Sequence, residues 1–495
     1  MPALEILNEH GRLPAVVWKI AAVATLGPLL SQLDATIVNV SLSSLASELH
    51  TTLATIHWVT SGYLLALALM LPLNGWLVDR IGAKALYLWC FSSFTLASAL
   101  CGFAWSARAL IAFRVLQGMT GGLLAPMAQM MLARAAGKEL VRVAGSAFVA
   151  VVLGPIFGPV IAGAILQHAS WRWLFFVNLP VGVLAVLMAA VFLPEDRPQG
   201  PRRGLDLQGL ALLSPGLVLF LYGADHWKDP PGMGSFIASL FLLTGFVKTA
   251  RRKGSGALID LALFRRKVFP IAAVTQFFSN GISFAGQMLV PFYLVRACGR
   301  SPRATGLMLA PLALGSACSL PSLGALTDRL GLRKVSAGGA LLALLGTLPF
   351  LYLAGHELIL PVLLVALFCR GAGLSAVGIP SMTAAYVSVE KEKLATATTS
   401  MNIVQRLGGP TLTTICATFL AWKMNALHGP ANLSGAFVPA FGLLCVFHAL
   451  QFLAALRLPG SVDEAAVDRV VTAAEACESR GLSTMNGDFF REENP

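Results

Sequence analysis

Residues 32–41 read QLDATIVNVS, and the carboxylate of Asp34 within them governs how the rest of the chain is read. From Pro14 to Ser44 nearly every residue is apolar or small, a run long enough to cross a bilayer core, which takes roughly 20 residues. A charge at that depth costs at least ~2.5 kcal/mol and persists mainly where it faces protein, water or a partner charge. The remaining acids lie in loops, near helix ends or in the tails. Asp34 is therefore the candidate functional carboxylate. The plainer reading is a structural Asp that locks two helices together.

Outward from this stretch, the composition sets the class. Hydrophobic residues make up 56% of the 495 and charged ones 12%, with a mean hydropathy of +0.73. A soluble domain carries about twice that charge, so the chain reads as an all-α polytopic membrane protein. Apolar spans fall near 15–42, 56–78, 85–105, 108–132, 143–167, 173–193, 206–225, 234–250, 268–294, 304–327, 335–354, 358–386, 396–422 and 435–457. Fourteen helices are predicted.

The net charge of +12 could suggest nucleic acid, but its distribution follows the spans instead. The N-terminus, the even-to-odd loops and the C-terminal tail hold 26 Lys/Arg, against 7 in the other loops and adjacent helix ends. That excess marks the first set as cytoplasmic, so both termini are expected inside and no nucleic-acid partner is expected. The remaining three, Arg114, Arg370 and Arg406, fall within spans. The first apolar run is too long for the core of a cleavable signal peptide. Eight cysteines, mostly in spans and without a CxxC pair, argue against structural disulfides and a thiolate metal site. The eight histidines lack HxxxH or HExxH spacing, so no metal site is expected.

Helix 2 ends in GWLVDRIGAK, from Gly75 through Asp79, Arg80 and Gly82 to Lys84. Gly past a helix end tolerates the left-handed turn, and Lys/Arg suit a helix C-terminus. A related segment, GALTDRLGLRK, carries Asp328 and Arg329 at an offset of 249 residues. Arg114 and Arg370 repeat at an offset of 256. Six spans need roughly 150–200 residues, which leaves room for two inserted helices. The expected organisation is a cytoplasmic N-terminus (1–14), a six-helix bundle (15–193), two inserted helices with their connections (194–267), a second bundle (268–457) and a cytoplasmic tail (458–495).

Helix 4 places Gln117 one turn after Arg114 on one face. A buried Arg keeps its proton and needs an acceptor, and Asp34 is the intramembrane acid available. In helix 5, Gly154 and Gly158 allow close helix approach, while Pro155 and Pro159 each remove a backbone donor and should bend the helix; Gly163 follows. Gln276, Asn280, Ser283 and Gln287 share one face of helix 9, either bonding neighbouring helices or lining a cavity. Asn402, Gln405 and Arg406 stand on helix 13.

LDATIVNV (33–40), GWLVDRIGAK (75–84), RVLQGMTGG (114–122), LGPIFGPVIAG (153–163) and WRWLFFVNLPVG (171–182) together resemble the major facilitator superfamily. Within it they are similar to the fourteen-helix drug:proton antiporters of the EmrB/QacA type. Leu42 stands where the family usually has Pro, and Ala162 where Gly is commoner. The resemblance implies two six-helix bundles plus two inserted helices, with a substrate site between the bundles near mid-membrane. It implies proton coupling at Asp34 and Arg114, and a conformational switch at Gly75, Asp79, Arg80, Gly82, Lys84, Asp328 and Arg329. It also implies an antiporter motif at Gly154, Pro155, Gly158, Pro159 and Gly163. Gln117, Gln276, Asn280, Gln287, Arg370, Asn402 and Arg406 are the cavity candidates.

An Asp–Arg pair that tightens in one state and loosens in the other can load and release protons on opposite sides, because a neighbouring charge alters a carboxylate's proton affinity. Each proton moved down 100 mV supplies roughly 2.3 kcal/mol. The leading expectation is proton-driven export of small amphiphilic organic compounds from the inner membrane. It needs no cofactor beyond the proton gradient, the bilayer and protons, and it leaves room for a periplasmic adaptor protein. A transporter dedicated to one metabolite, such as an organic acid or siderophore, is the second reading. A membrane enzyme or sensor is the third, and no cluster of His, Asp, Ser or Cys at a membrane face supports it.

Overall fold

The computed structural model describes residues 13–195, 204–426 and 433–467. Residues 1–12, most of the PEDRPQGPRRGL connection and most of the acidic tail lie outside the described residues, as do the expectations placed on them. Every described segment of regular structure is helical. Helices satisfy their own backbone groups internally, which is what a chain in hydrocarbon requires.

The first group comprises α1 (Ala15–Glu48), α2 (Leu53–Met70) continued by α3 (Asn74–Ile81), α4 (Ala83–Gly102) and α5 (Ala107–Ala136), followed by α6 (Leu140–Ala147), α7 (Val149–His168), the short α8 (Trp173–Phe176) and α9 (Asn178–Phe192). A hairpin of α10 (Leu207–Asp225) and α11 (Pro230–Lys253) follows. The second group comprises α12 (Val268–Arg296), α13 (Pro302–Ser319), α14 (Leu323–Leu345), the short α15 (Pro349–Leu353), α16 (Leu360–Val387), α17 (Leu394–Ala426) and α18 (Leu433–Ala455). Eleven helical stretches among the described residues are long and apolar enough to cross a membrane, and one of them, Ala304–Leu353, runs through a break at Gly331. Side-chain caps start several helices: Ser106 accepts from Ala109 N at 3.2 Å, and Asp206 from Gly209 N at 2.9 Å.

The two groups repeat one packing plan. In the first, α1 packs on α7, α2 on α5, and α4 on both α5 and α9. In the second, α12 packs on α17, α13 on α16, and α14 on both α16 and α18. The glycines of the two related segments turn the chain alike, Gly82 at φ 84°, ψ 157° and Gly331 at φ 83°, ψ 165°. Only glycine takes that backbone conformation without strain. A one-for-one repeat of helix contacts and of a left-handed turn is what an internal duplication produces.

How the groups meet differs between the two ends of the molecule. At the end carrying Lys84, Lys138 and Arg142, one continuous apolar cluster contains Leu86, Met131 and Leu140 of the first group with Leu320, Leu332 and Leu394 of the second. At the opposite end the groups keep separate clusters, one around Val38, Cys101 and Phe175, the other around Leu289, Phe350 and Phe441. The groups are thus joined at the basic end. Polar contacts cross the same seam: Asn74 donates to Thr399 at 3.2 Å, and Gln129 accepts from Tyr386 (2.8 Å) and Asn402 (2.7 Å). Arg142 pairs with Asp328 at 3.1 Å, and Lys138 with Asp463 at 2.5 Å.

The α10–α11 hairpin lies along one flank of this seam. Ser214 donates to the Leu69 carbonyl of α2 at 2.8 Å, and Thr414 of α17 donates to the Ala224 carbonyl of α10 at 3.0 Å. Leu213 and Leu217 share an apolar cluster with Leu71 of the first group and Ile403 of the second. On the other flank, α7 meets α13 directly.

Candidate functional site

Asp34 stands midway along α1 and is fully buried. Arg114 and Gln117 come from α5, Asn178 from the first turn of α9, and Ser98 from α4. Arg114 Nη1 lies 2.5 Å from Asp34 Oδ2 and donates to Gln117 Oε1 at 2.8 Å. Gln117 Nε2 donates in turn to Asp34 Oδ1 at 3.3 Å, and Asn178 Nδ2 to the same oxygen at 2.8 Å. Asn178 also donates to Ser98 Oγ at 3.1 Å, while Ser98 donates to the Phe175 carbonyl at 3.0 Å. Both carboxylate oxygens therefore accept, as a buried charge requires.

The guanidinium is held from other sides as well. Its Nε donates to the Val59 carbonyl of α2 at 3.2 Å, and its carbon lies 4.2 Å from the Tyr63 ring centroid. The Arg114 Nη2 has no hydrogen-bond partner. Arg406 of α17 reaches Tyr63 electrostatically, and its Nε is also unpartnered. Tyr63 thus lies within electrostatic reach of both the buried pair and a cation of the second group.

The helix 5 motif explains how α1 is held in place. A Cβ on Gly154 would stand 3.3 Å from Gln32 Cγ, and one on Gly158 would overlap the Thr36 hydroxyl. Only glycine lets α7 approach α1 so closely, and Gln32 and Thr36 flank Asp34. A Cβ on Gly163 meets nothing within 4 Å. Both prolines lie within the single helical segment of α7.

The switch candidates gather at the basic end. Gly75 lies against Ala395 and Thr396 of α17, and Arg80 covers the Trp76 ring at 5.4 Å. Asp79 and Lys84 both engage other groups at this end. Asp328 pairs with Arg142 across the seam, while Arg329 is exposed.

The cavity candidates divide. Gln276 bonds the Gly378 carbonyl (2.5 Å), Ser381 (3.0 Å) and Gln405 (2.8 Å), so it ties three helices together. Asn402 joins Gln129 at the seam, Asn280 packs by Gly409, and Gln287 is exposed with a bond to Ser283 at 3.2 Å. Gln117 is fully buried within the Asp34 network. Arg370 is only 1% exposed, inside the second group and donating to the Ile282 carbonyl at 3.1 Å. Sequence reading passed over Asn178, Ser98 and Gln129. Their signal was an amide or hydroxyl inside an apolar helix.

Two repeated helical groups, the first built around a buried charged network, have the architecture of a membrane transporter. The sequence profile described as Major Facilitator Superfamily matches residues 24–413, and the chain belongs to that family. It is 33% identical over 425 residues to a protein of Mycobacterium tuberculosis called "Multidrug resistance protein B homolog", covering 84% of this chain and 78% of that one. It is 29% identical over 458 residues to a "Putative multidrug resistance protein MdtD" of Yersinia pestis, covering 90% and 96%. Among solved structures, the proton:xylose symporter XylE superposes with a TM-score of 0.63 at 14% identity, over 89% of this chain and 95% of that one. The human organic anion transporter MFSD10 gives 0.59 at 16%, over 88% and 99%. At such identities these two speak to the fold alone.

Proposed function

We propose that this protein exports amphiphilic organic compounds in exchange for protons, by alternating access across a bacterial inner membrane. The observation that carries the reading is Asp34, a fully buried carboxylate held by Arg114, Gln117 and Asn178. Movement of α1 against α5 changes those contacts, and with them the carboxylate's hold on a proton. The names of the curated relatives support a multidrug substrate range. Dividing the Ala304–Leu353 stretch at Gly331 and adding α7 and α17 to the eleven apolar stretches supports a count of fourteen crossings. The Lys/Arg bias supports a cytoplasmic position for the basic end and both termini. The joined basic end then corresponds to a state closed to the cytoplasm, and a periplasmic adaptor would meet the opposite end.

The test is proton flux in everted vesicles on addition of candidate compounds, for the wild type and Asp34→Asn. Wild-type vesicles should release protons from the lumen when a substrate is added, and the variant should not. Equal flux in both would remove Asp34 from the mechanism. A second reading, dedicated export of one acidic metabolite, is favoured by Arg406 beside Tyr63. A resistance and metabolite-export screen in an efflux-deficient host separates the two.

A further inference from the structure

The second group repeats the frame around Asp34 with the acid left out. An offset of 249 residues carries Ser98 onto Thr347, and 256 carries Arg114 onto Arg370. Between them, 252 carries Asp34 onto Gly286. The contacts correspond. Ser98 of α4 bonds Asn178 of α9 at 3.1 Å, and Thr347, just past α14, bonds His448 of α18 at 3.1 Å. Arg114 reaches across to Asp34 on α1, and the Arg370 guanidinium lies where a Cβ on Gly286 would stand on α12. Each group thus sets an Arg and a hydroxyl-bonded polar side chain in the same frame. A carboxylate completes the frame only in the first.

Arg370 cannot shed its proton, and a buried charge without a counter-charge is costly. Among the described residues no acid lies within ion-pair distance of it, and its Nε has no acceptor. His448 is fully buried within electrostatic reach of Arg370. Gln451, one turn further along α18 and equally buried, pairs with His448, and its amide nitrogen has no acceptor. Two donors of one buried cluster, Arg370 Nε and the Gln451 amide nitrogen, therefore lack acceptors beside a fixed positive charge.

We propose that the second group binds a halide-sized monovalent anion beside Arg370, in the role that the Asp34 carboxylate plays in the first. Arg370 supplies the charge and Gln451 a further donor in the same cluster. The other neighbours within reach of the guanidinium, Cys416 and Cys445, are weakly polar, which favours a weakly hydrated monovalent ion over phosphate or sulfate. The proposal is independent of proton coupling and of the exported compound.

The experiment is the melting temperature of the full-length detergent-solubilised protein, titrated with sodium bromide against sodium gluconate at constant ionic strength. Bromide should raise it saturably by about 2–4 °C. Gly286→Asp, which sets a carboxylate against the Arg370 guanidinium, should abolish the bromide response, as should Arg370→Met. Should either fail to fold, Gln451→Leu provides a milder variant, expected to raise the half-saturating bromide concentration roughly tenfold. No saturable response in the wild type overturns the proposal. So does a response that Gly286→Asp and Arg370→Met leave intact, or a half-saturation that Gln451→Leu does not move.

Discussion

Asp34 accepts from three side chains belonging to two helices other than its own, so its replacement separates titration from packing. Asn keeps the size and most hydrogen bonds but carries no exchangeable acid. Asp34→Asn is expected to leave the protein folded and inserted while abolishing proton-driven export, checked by size-exclusion profile and vesicle flux. Arg114 is different, because removing it strands a fully buried carboxylate at a typical cost of about 3–5 kcal/mol. Arg114→Ala should therefore melt lower than the double variant with Asp34→Asn. A double-mutant cycle on melting temperature in detergent measures that coupling, and additive effects would show that the 2.5 Å contact contributes nothing. Asp34 and Arg114 were legible in the sequence because a charge in an apolar run has few explanations. Asn178 was not, since an amide costs far less to bury and its partner lies 144 residues away.

At the scale of elements, the related segments ending α3 and crossing Gly331 should differ in weight. Asp328 pairs with Arg142 between half-exposed side chains, a geometry typically worth ~1 kcal/mol or less. Asp79 belongs to the fuller segment with Arg80, Gly82 and Lys84. Asp79→Ala is expected to slow transport with little change in substrate affinity, and Asp328→Ala to do less. Equal losses, or a pure affinity change at Asp79, would contradict that ranking. The loop between α16 and α17 offers a pH test. Burial would raise the Glu390 carboxyl, but Arg266, donating to both its oxygens at 2.7 Å, outweighs this and holds it below the usual carboxylate range. Such a group adds stability above its unfolded pKa of about 4.3, and the gain is lost as pH falls through the lower folded value. Glu390→Gln should thus lower the melting temperature equally at pH 8 and 6, with the difference shrinking below about pH 4. Hydrophobic runs revealed these helices in the sequence, and paired motifs revealed the repeat. The exits of the helices were read less well: α1 continues to Glu48, and α8 interrupts the approach to α9. Apolar spacing reports depth in a bilayer but not where a helix stops beyond it.

Across the whole molecule, transport by alternating access requires the joined basic end to part. A Cβ on Gly75 would stand 3.5 Å from Thr396 Cα, close enough for a disulfide between cysteines at these positions. In a chain cleared of its eight native cysteines, Gly75→Cys with Thr396→Cys should transport when reduced and stop when oxidised. Unchanged transport by the cross-linked protein would mean that this end never opens. Which end is joined was not legible in the sequence, because it depends on pairs such as Gln129 and Asn402, 273 residues apart.

The α10–α11 hairpin gives the molecule a handedness in the plane of the membrane. It straddles the seam between α2 and α17, while among the described residues no helix covers the seam between α7 and α13 in the same way. A greasy compound dissolved among the lipid tails therefore meets a walled flank on one side and a bare junction on the other. Under the proposed export, entry from within a leaflet is expected at the α7–α13 junction, where Gly154 and Gly158 bring α7 close to the Asp34 helix. A molecule arriving by that door comes first to the helix pair that carries the buried acid.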